Sequence, residues 1–178
     1  MGRLAPRLPA LGFLEVRYRI KSWRRLELCV EDATSAIEAA QARGAETCAL
    51  VGFSMGGAVA IAAAGHPAVT TVIGLAPWIP DQLELHPLRD RRFVVIHGTL
   101  DRYLPGIPGV QPSGSRRGYD RAGALGVLDA EYTLLPGGLH GTAVRAPWGL
   151  TALPRAGRWA DLLARELELF RQGSRAPT

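Results

Sequence analysis

Short apolar runs alternate with longer segments of helical periodicity along most of this chain. Continuous apolar runs bounded by glycine, proline or charged residues predict buried strands, and they cover residues 48–51, 69–75, 93–96 and 130–135. Helical composition and spacing predict helices over 30–43, the Ala-rich run 58–64 and 116–125, and a closing helix whose inner face carries Trp159, Leu162, Leu163, Leu167 and Phe170.

Residues 13–20 differ from these runs because apolar and basic residues alternate there. Tyr18 lies between Arg17 and Arg19, which is typical of a strand with one polar face. Four other segments are rich in proline, glycine or polar residues and are predicted to contain little regular structure. They are the N-terminal residues 1–12, a loop over 102–114, the irregular stretch 141–157 and a polar tail over 171–178.

Strands that alternate with helices predict an α/β protein, with a mostly parallel sheet and helices on both faces. A length of 178 residues fits one domain over 1–178. Ligands of such sheets bind beyond the carboxyl ends of the strands. The side chains that follow these ends, and are therefore candidates for one site, are Ser54, Trp78, Asp101 and His140.

Composition and charge narrow the class of protein. With 47% hydrophobic and 21% charged residues the chain is typical of a globular protein, and no apolar stretch approaches the roughly 20 residues that span a membrane. The net charge is +5, and the basic residues are densest over residues 17–25. Because no nucleic-acid-binding signature accompanies them, a solvated basic face is favoured over binding to nucleic acid. Cys29 and Cys48 lie in apolar surroundings, which favours buried thiols and a cytoplasmic location.

The connection between the first buried strand and the Ala-rich helix carries the clearest chemical signal. Gly52, Ser54 and Gly56 fit the pattern G-x-S-x-G, and strand, sharp turn and helix are the context in which this pattern presents a reactive serine. The turn strains the serine backbone, so both flanking glycines are expected to be required, and Gly57 gives the helix room to pack. A glycine-rich connection with an incidental serine is the alternative.

A serine hydroxyl needs a base and an orienting carboxylate to act as a nucleophile at neutral pH. Asp101 and His140 follow Ser54 in the chain, each on a loop after a different strand. Asp101 is favoured as the acid, although it could instead cap a turn, and Asp81 is the alternative. His140 is favoured as the base, and the other histidines are expected elsewhere: His66 at the far end of the Ala-rich helix, His86 at the surface, and His97 as a structural ring beside the Asp101 turn.

These segments resemble the α/β-hydrolase superfamily, near its dienelactone-hydrolase-like and small-esterase branches. The resemblance covers about residues 13–141 and rests on LVGFSMGGAVA, IGLAPWIP, FVVIHGTLD and LLPGGLHG. It implies a serine esterase with Ser54 as nucleophile, His140 as general base and Asp101 as its partner. The backbone N–H of Met55 would be an oxyanion donor. The expected substrate is a small ester or related acyl compound, with no metal or organic cofactor. An apolar pocket for it would be lined by Phe53, Trp78 and Ile79, with a core position for Phe53 and a structural role for Trp78 as the alternatives.

The resemblance is incomplete at its start. Such hydrolases open with three strands, and an HG run after the third often supplies a second oxyanion donor, but no HG precedes Ser54. Residues 1–12 resemble the helix after that loop, and 13–20 the fourth strand. The chain is therefore expected to be N-terminally truncated, through a late start codon or a degraded gene, or to be a minimal hydrolase. The alternative function is a non-catalytic hydrolase-like protein or binding module, and an exposed sheet edge would invite homodimerisation.

Overall fold

The computed structural model describes residues 4–102, 109–146 and 149–173 of the chain. The elements within these residues are α1 Leu26–Gln41, β1 Cys48–Phe53, α2 Met55–Ala63, β2 Val69–Leu75, β3 Arg92–Gly98, α3 Pro112–Gly123, β4 Asp129–Leu135, β5 Ala143–Ala146, β6 Gly149–Ala152 and α4 Ala156–Gly173, with short 3₁₀ turns at Ala5–Arg7 and His86–Leu88.

Strands β1 to β4 form one parallel sheet in the order β1-β2-β3-β4. The register pairs Phe53 with Leu75, Leu75 with Ile96, and Gly98 with Leu135. The strands therefore end at nearly the same level, and the loops that follow them meet at one edge of the sheet. β5 and β6 form a separate antiparallel hairpin.

Helices cover both faces of the sheet. On one face, α1, α2 and α3 enclose a core that includes Val59 and Phe93. On the other face, α4 packs Trp159 and Leu163 against residues such as Ile96. A parallel sheet between two helical layers confirms the predicted fold class.

The apolar runs predicted the sheet correctly. All four strands predicted from the continuous apolar runs are present, and the Ala-rich helix, the helix after residue 111 and the closing helix are present as well. The first helix begins earlier than predicted, at Leu26, and the closing helix continues to Gly173. Parts of the predicted loop and tail, namely 103–108 and 174–178, lie outside the described residues, as do residues 1–3.

Residues 13–20 form no strand, which corrects the sequence prediction. Tyr18 is half-buried while Arg17 and Arg19 are exposed, so the alternation reflects a real inner and outer side. The backbone N–H of Arg19 does not join a ladder but donates to the Asp32 carboxylate of α1 at 2.9 Å, and the Arg19 guanidinium binds the same carboxylate. The alternation of apolar and basic residues therefore belongs to an extended segment that packs on α1, and not to a β-strand.

The hairpin of β5 and β6 corrects the prediction that residues 141–157 are irregular. Within the described residues β1 pairs only with β2, so it forms an edge of the sheet, and homodimerisation through that edge stays a prediction. Both cysteines are free thiols. None of the described helices is both long enough and apolar enough to cross a membrane.

Candidate active site

Ser54 occupies the sharp turn between β1 and α2, with backbone angles φ 54° and ψ −118°. A positive φ is strained for a residue that has a Cβ, so the surrounding structure must hold it in place. The Ser54 N–H donates to the carbonyl oxygen of Leu75 at 3.0 Å, and the Ser54 carbonyl accepts from the N–H groups of Gly57 and Trp78, each at 2.9 Å. This is the backbone geometry of a nucleophile elbow.

The glycines around Ser54 are not equivalent. A Cβ on Gly52 would lie 2.1 Å from the carbonyl oxygen of Gly56, and one on Gly57 would lie 2.4 Å from the Pro77 side chain. A Cβ on Gly56 would meet only the Tyr18 hydroxyl at 3.6 Å, which is an ordinary contact. The expectation that Gly56 must lack a side chain is therefore wrong for this chain, whereas Gly52 and Gly57 are sterically required.

Met55 is the first residue of α2, and its side chain is buried. Backbone N–H groups of the first helical turn have no acceptor within the helix. The N–H of Met55 and the positive end of the helix dipole are therefore close to any negative charge that develops on a group bound to Ser54.

The loops after β3 and β4 are joined to each other, and this brings Asp101 to His140. The N–H of Leu100 donates to the carbonyl oxygen of Gly138 at 2.9 Å. A Cβ on Gly98 would lie 2.3 Å from the same oxygen. Close backbone contact, which only glycine permits here, fixes the distance between the two loops.

Asp101 and His140 form a direct hydrogen bond, with Oδ2 and Nδ1 2.7 Å apart. An ionised carboxylate only accepts, so Nδ1 carries the proton and the lone pair of Nε2 is free to take one. The other oxygen, Oδ1, accepts from the N–H of Val110 at 2.9 Å. Burial raises the pKa of Asp101, but hydrogen bonds from His140 and His97 lower it by more, so its pKa lies below the ordinary range. The carboxylate is therefore charged at neutral pH.

His140 lies against the elbow. Its ring and that of Phe53, the residue before Ser54, have centroids 4.7 Å apart, and a Cβ on Gly141 would lie 2.9 Å from the Phe53 ring. Among the described residues the Ser54 hydroxyl makes no hydrogen bond, to His140 or to another group. Bonds of this kind are often long without substrate and tighten when it binds.

His97 is tied to this site more closely than the sequence indicated. Its Nε2 lies 3.0 Å from Oδ2 of Asp101 and 2.8 Å from the carbonyl oxygen of Val110, and its Nδ1 lies 2.7 Å from the hydroxyl of Ser115 on α3. His97 and Ser115 are fully buried. The spacing of His97 and Asp101 in the sequence places both in one turn, but it does not show that their side chains meet.

The alternative residues lie elsewhere. Asp81 is exposed and lies 3.7 Å from both Arg117 and Arg121, so the structure brings Asp101 rather than Asp81 to His140. His66 accepts a backbone N–H from the turn after α2, and His86 is an exposed residue near Glu84.

The residues expected to line an acyl pocket are found in three different environments. Phe53 is 45% exposed beside Ser54. Trp78 packs edge-on against Trp23, with ring centroids 4.6 Å apart. Ile79 is only 4% exposed and packs closely on Gly118 of α3, so it belongs to the core rather than to an open pocket wall.

The two tryptophans line a groove of about 490 Å³ between α1, α2 and the loop after β2. Its described lining includes Leu26, Ala62 and Leu83 but does not reach Ser54 or His140. In the described part of the chain, no group of three or more His, Cys, Asp or Glu side chains is arranged to hold a metal ion.

Comparison with known proteins places the fold. No family model and no curated protein matches the chain, whereas many solved structures do. A serine hydrolase homologue from Coxiella burnetii is 16% identical with a TM-score of 0.63, over 88% of this chain and 66% of that one. SOBER1 from Arabidopsis thaliana is 18% identical with a TM-score of 0.56, over 83% and 67%. A monoacylglycerol lipase from Paleococcus ferrophilus is 16% identical with a TM-score of 0.54, over 78% and 74%.

The chain spans about two thirds of the length of SOBER1 and of the Coxiella protein. At these sequence identities the likeness establishes the fold alone. The fold is that of the α/β hydrolases, which confirms the family resemblance at the level of architecture.

Proposed function

We propose that this protein is a serine hydrolase that cleaves a small ester or related acyl substrate through an acyl-enzyme. The observation that carries the proposal is the hydrogen bond of 2.7 Å between the Asp101 carboxylate and His140, beside a serine held at φ 54° on a strand-to-helix turn. Strain at Ser54 and burial of Asp101 both cost stability, and such costs cluster at functional sites.

The proposed reaction begins with attack of the Ser54 hydroxyl oxygen on the acyl carbon, while its proton passes to Nε2 of His140. The negative charge on the former carbonyl oxygen is stabilised by the N–H of Met55. Collapse of the tetrahedral intermediate breaks the bond to the leaving alcohol, which takes the proton from His140. Water then attacks the acyl-enzyme and gives a proton to His140. The ester bond to Ser54 breaks, the carboxylic acid product leaves, and the proton returns from His140 to the Ser54 oxygen.

The surroundings of Ser54 favour a small apolar acyl group. Phe53, the residue before Ser54, presents a 45% exposed aromatic ring beside the serine. Among the structures with the same fold are a protein named monoacylglycerol lipase and an esterase domain, which agrees with an ester substrate.

Ser54→Ala is expected to abolish hydrolysis of p-nitrophenyl acetate and butyrate, because no other nucleophile replaces the serine hydroxyl. The expected loss is at least about 10³-fold in kcat, measured by release of p-nitrophenol. The matched control is Ser35→Ala, which removes an exposed hydroxyl on α1 and is expected to keep wild-type activity. Turnover that survives in Ser54→Ala would contradict the proposal.

A second candidate function is a hydrolase-like binding module, and the tryptophan-lined groove favours it because that groove is separate from Ser54. A folded wild-type protein that turns over none of these esters, and whose Ser54→Ala variant behaves identically, would favour this candidate over an enzyme.

A further inference from the structure

We propose that His97 is a positioning residue of this site, whose Nε2–H holds the same Asp101 oxygen that His140 binds. The inference rests on the proposed function, because Asp101 and His140 are its acid–base pair. The proposed reaction does not itself require His97, so the inference gives this buried histidine a role.

The proton of the His97 ring is fixed on Nε2. This nitrogen faces the carbonyl oxygen of Val110 at 2.8 Å and Oδ2 of Asp101 at 3.0 Å, and both oxygens only accept hydrogen bonds. An unprotonated Nε2 would set its lone pair against two acceptors in a fully buried place, which is costly. The Nε2–H therefore donates to the carbonyl oxygen of Val110 and also stabilises the negative charge on Oδ2 of Asp101, which lies 3.0 Å from the same nitrogen.

The other ring nitrogen is held from α3 and β4. Nδ1 of His97 lies 2.7 Å from the hydroxyl of Ser115, which donates to it when the ring is neutral. The same hydroxyl lies 2.9 Å from that of Tyr132, whose single proton can go either to Ser115 or to the carbonyl oxygen of Pro112 at 3.0 Å. The ring can therefore neither rotate nor exchange its tautomer without breaking several buried bonds.

Two N–H groups consequently converge on one carboxylate oxygen. Oδ2 of Asp101 lies 2.7 Å from Nδ1 of His140 and 3.0 Å from Nε2 of His97. Donation from His97 lowers the proton affinity of Asp101 and of the coupled pair that it forms with His140. It also stops the carboxylate from rotating away from His140. Without the His97 N–H, the pair of Asp101 and His140 is expected to take up a proton at higher pH, and the His140 ring is expected to be less well aligned.

The other charged groups that the structure describes near the His97 ring are farther from it or paired with an opposite charge. Burial raises the pKa of Tyr132, so its hydroxyl is neutral. The guanidinium of Arg116 lies 5.1 Å from the Tyr132 ring centre and is paired with Asp120 at 3.0 Å. Among the described residues, the titratable and charged groups that surround the His97 ring are Asp101 on the loop after β3, His140 on the loop after β4, Tyr132 on β4, and Arg116 and Asp120 on α3.

The test uses His97→Asn and His97→Gln, because an asparagine amide reaches the position of Nδ1 whereas a glutamine amide reaches that of Nε2. The quantity measured is the rate constant for labelling of Ser54 by a fluorophosphonate between about pH 5 and 9. His97→Asn is expected to lower the plateau rate about 10-fold and to raise the midpoint of the acid limb by about 1 pH unit, as for the loss of one charge-assisted hydrogen bond. His97→Gln is expected to restore the plateau rate and the midpoint toward their wild-type values.

The packing control is Ile96→Val, which trims the neighbouring buried side chain on the opposite face of the sheet. It is expected to leave the midpoint at the wild-type pH. A His97→Asn midpoint equal to that of the wild type would overturn the proposal, since a purely structural ring affects yield and stability but not the pH dependence of Ser54 labelling.

A second measurement on the intact wild type covers the case in which neither His97 variant folds. Nitrogen-15 spectra of the histidine rings are expected to show His97 protonated at Nε2 and His140 protonated at Nδ1. A His97 ring protonated only at Nδ1 would overturn the inference. A wild type that no fluorophosphonate labels refutes the proposed function instead, and the ring spectra still decide whether His97 donates to Asp101.

Discussion

Asp101→Asn is expected to hydrolyse p-nitrophenyl esters about 10⁴-fold more slowly than the wild type. The carboxylate accepts the Nδ1–H of His140 at 2.7 Å and so leaves Nε2 unprotonated. An asparagine amide can turn its NH₂ toward the ring, which favours the tautomer with the proton on Nε2. His140 would then no longer accept the proton of Ser54.

The fold of Asp101→Asn is expected to survive, because the asparagine oxygen can still accept from the N–H of Val110. The matched control is Asp81→Asn, which changes the carboxylate that follows the preceding strand but lies beside Arg117 and Arg121. Steady-state kinetics of both variants, with circular dichroism to verify folding, decide between the two acids. A larger loss in Asp81→Asn than in Asp101→Asn would reject the assignment.

Gly52→Ala is expected to destabilise the fold by more than about 4 kcal/mol and to leave little soluble native protein. The new Cβ would lie 2.1 Å from the carbonyl oxygen of Gly56 and 2.7 Å from the Cα of Gly57. Both are backbone atoms at the start of α2, so no rotamer change relieves the overlap. The helix would have to move away from β1 and would take Ser54 with it.

Gly56→Ala provides the matched control because it places the same methyl group on the other glycine of the motif. Its Cβ would meet only the Tyr18 hydroxyl at 3.6 Å, and alanine is favoured over glycine within a helix by about 1 kcal/mol. Its free energy of unfolding in urea is expected to equal or exceed that of the wild type. Equal destabilisation of the two variants would mean that the steric account of the elbow is incorrect.

The parallel sheet could be predicted from the sequence because buried strands carry continuous apolar runs. The runs of β2 and β3 lack the polar face that a surface strand would show. The ends of β1 and β3 place Ser54 and Asp101 at one edge of the sheet. The glycines of β1 and of the loop before His140 marked the sharp turns. Local composition was therefore enough for the fold and for the order of the candidate residues.

Features that depend on a distant partner could not be predicted in the same way. The alternation of residues 13–20 shows which side chains face inward, but the backbone of Arg19 bonds to Asp32 of α1 instead of to a strand. Ile79 follows β2 as Trp78 does, and only the close approach of Gly118 on α3 assigns it to the core. The contact of His97 with Asp101 likewise depends on burial and on Ser115 of α3, which the sequence does not display.

The central claim is that Ser54 is an activated nucleophile, and intact-mass measurement after incubation with a fluorophosphonate tests it without the choice of a substrate. We expect one adduct on the wild type and none on Ser54→Ala, because displacement at phosphorus requires the Ser54 oxygen and a base to take its proton. An adduct that persists in Ser54→Ala, or a folded wild-type protein that gains no mass, would contradict the account.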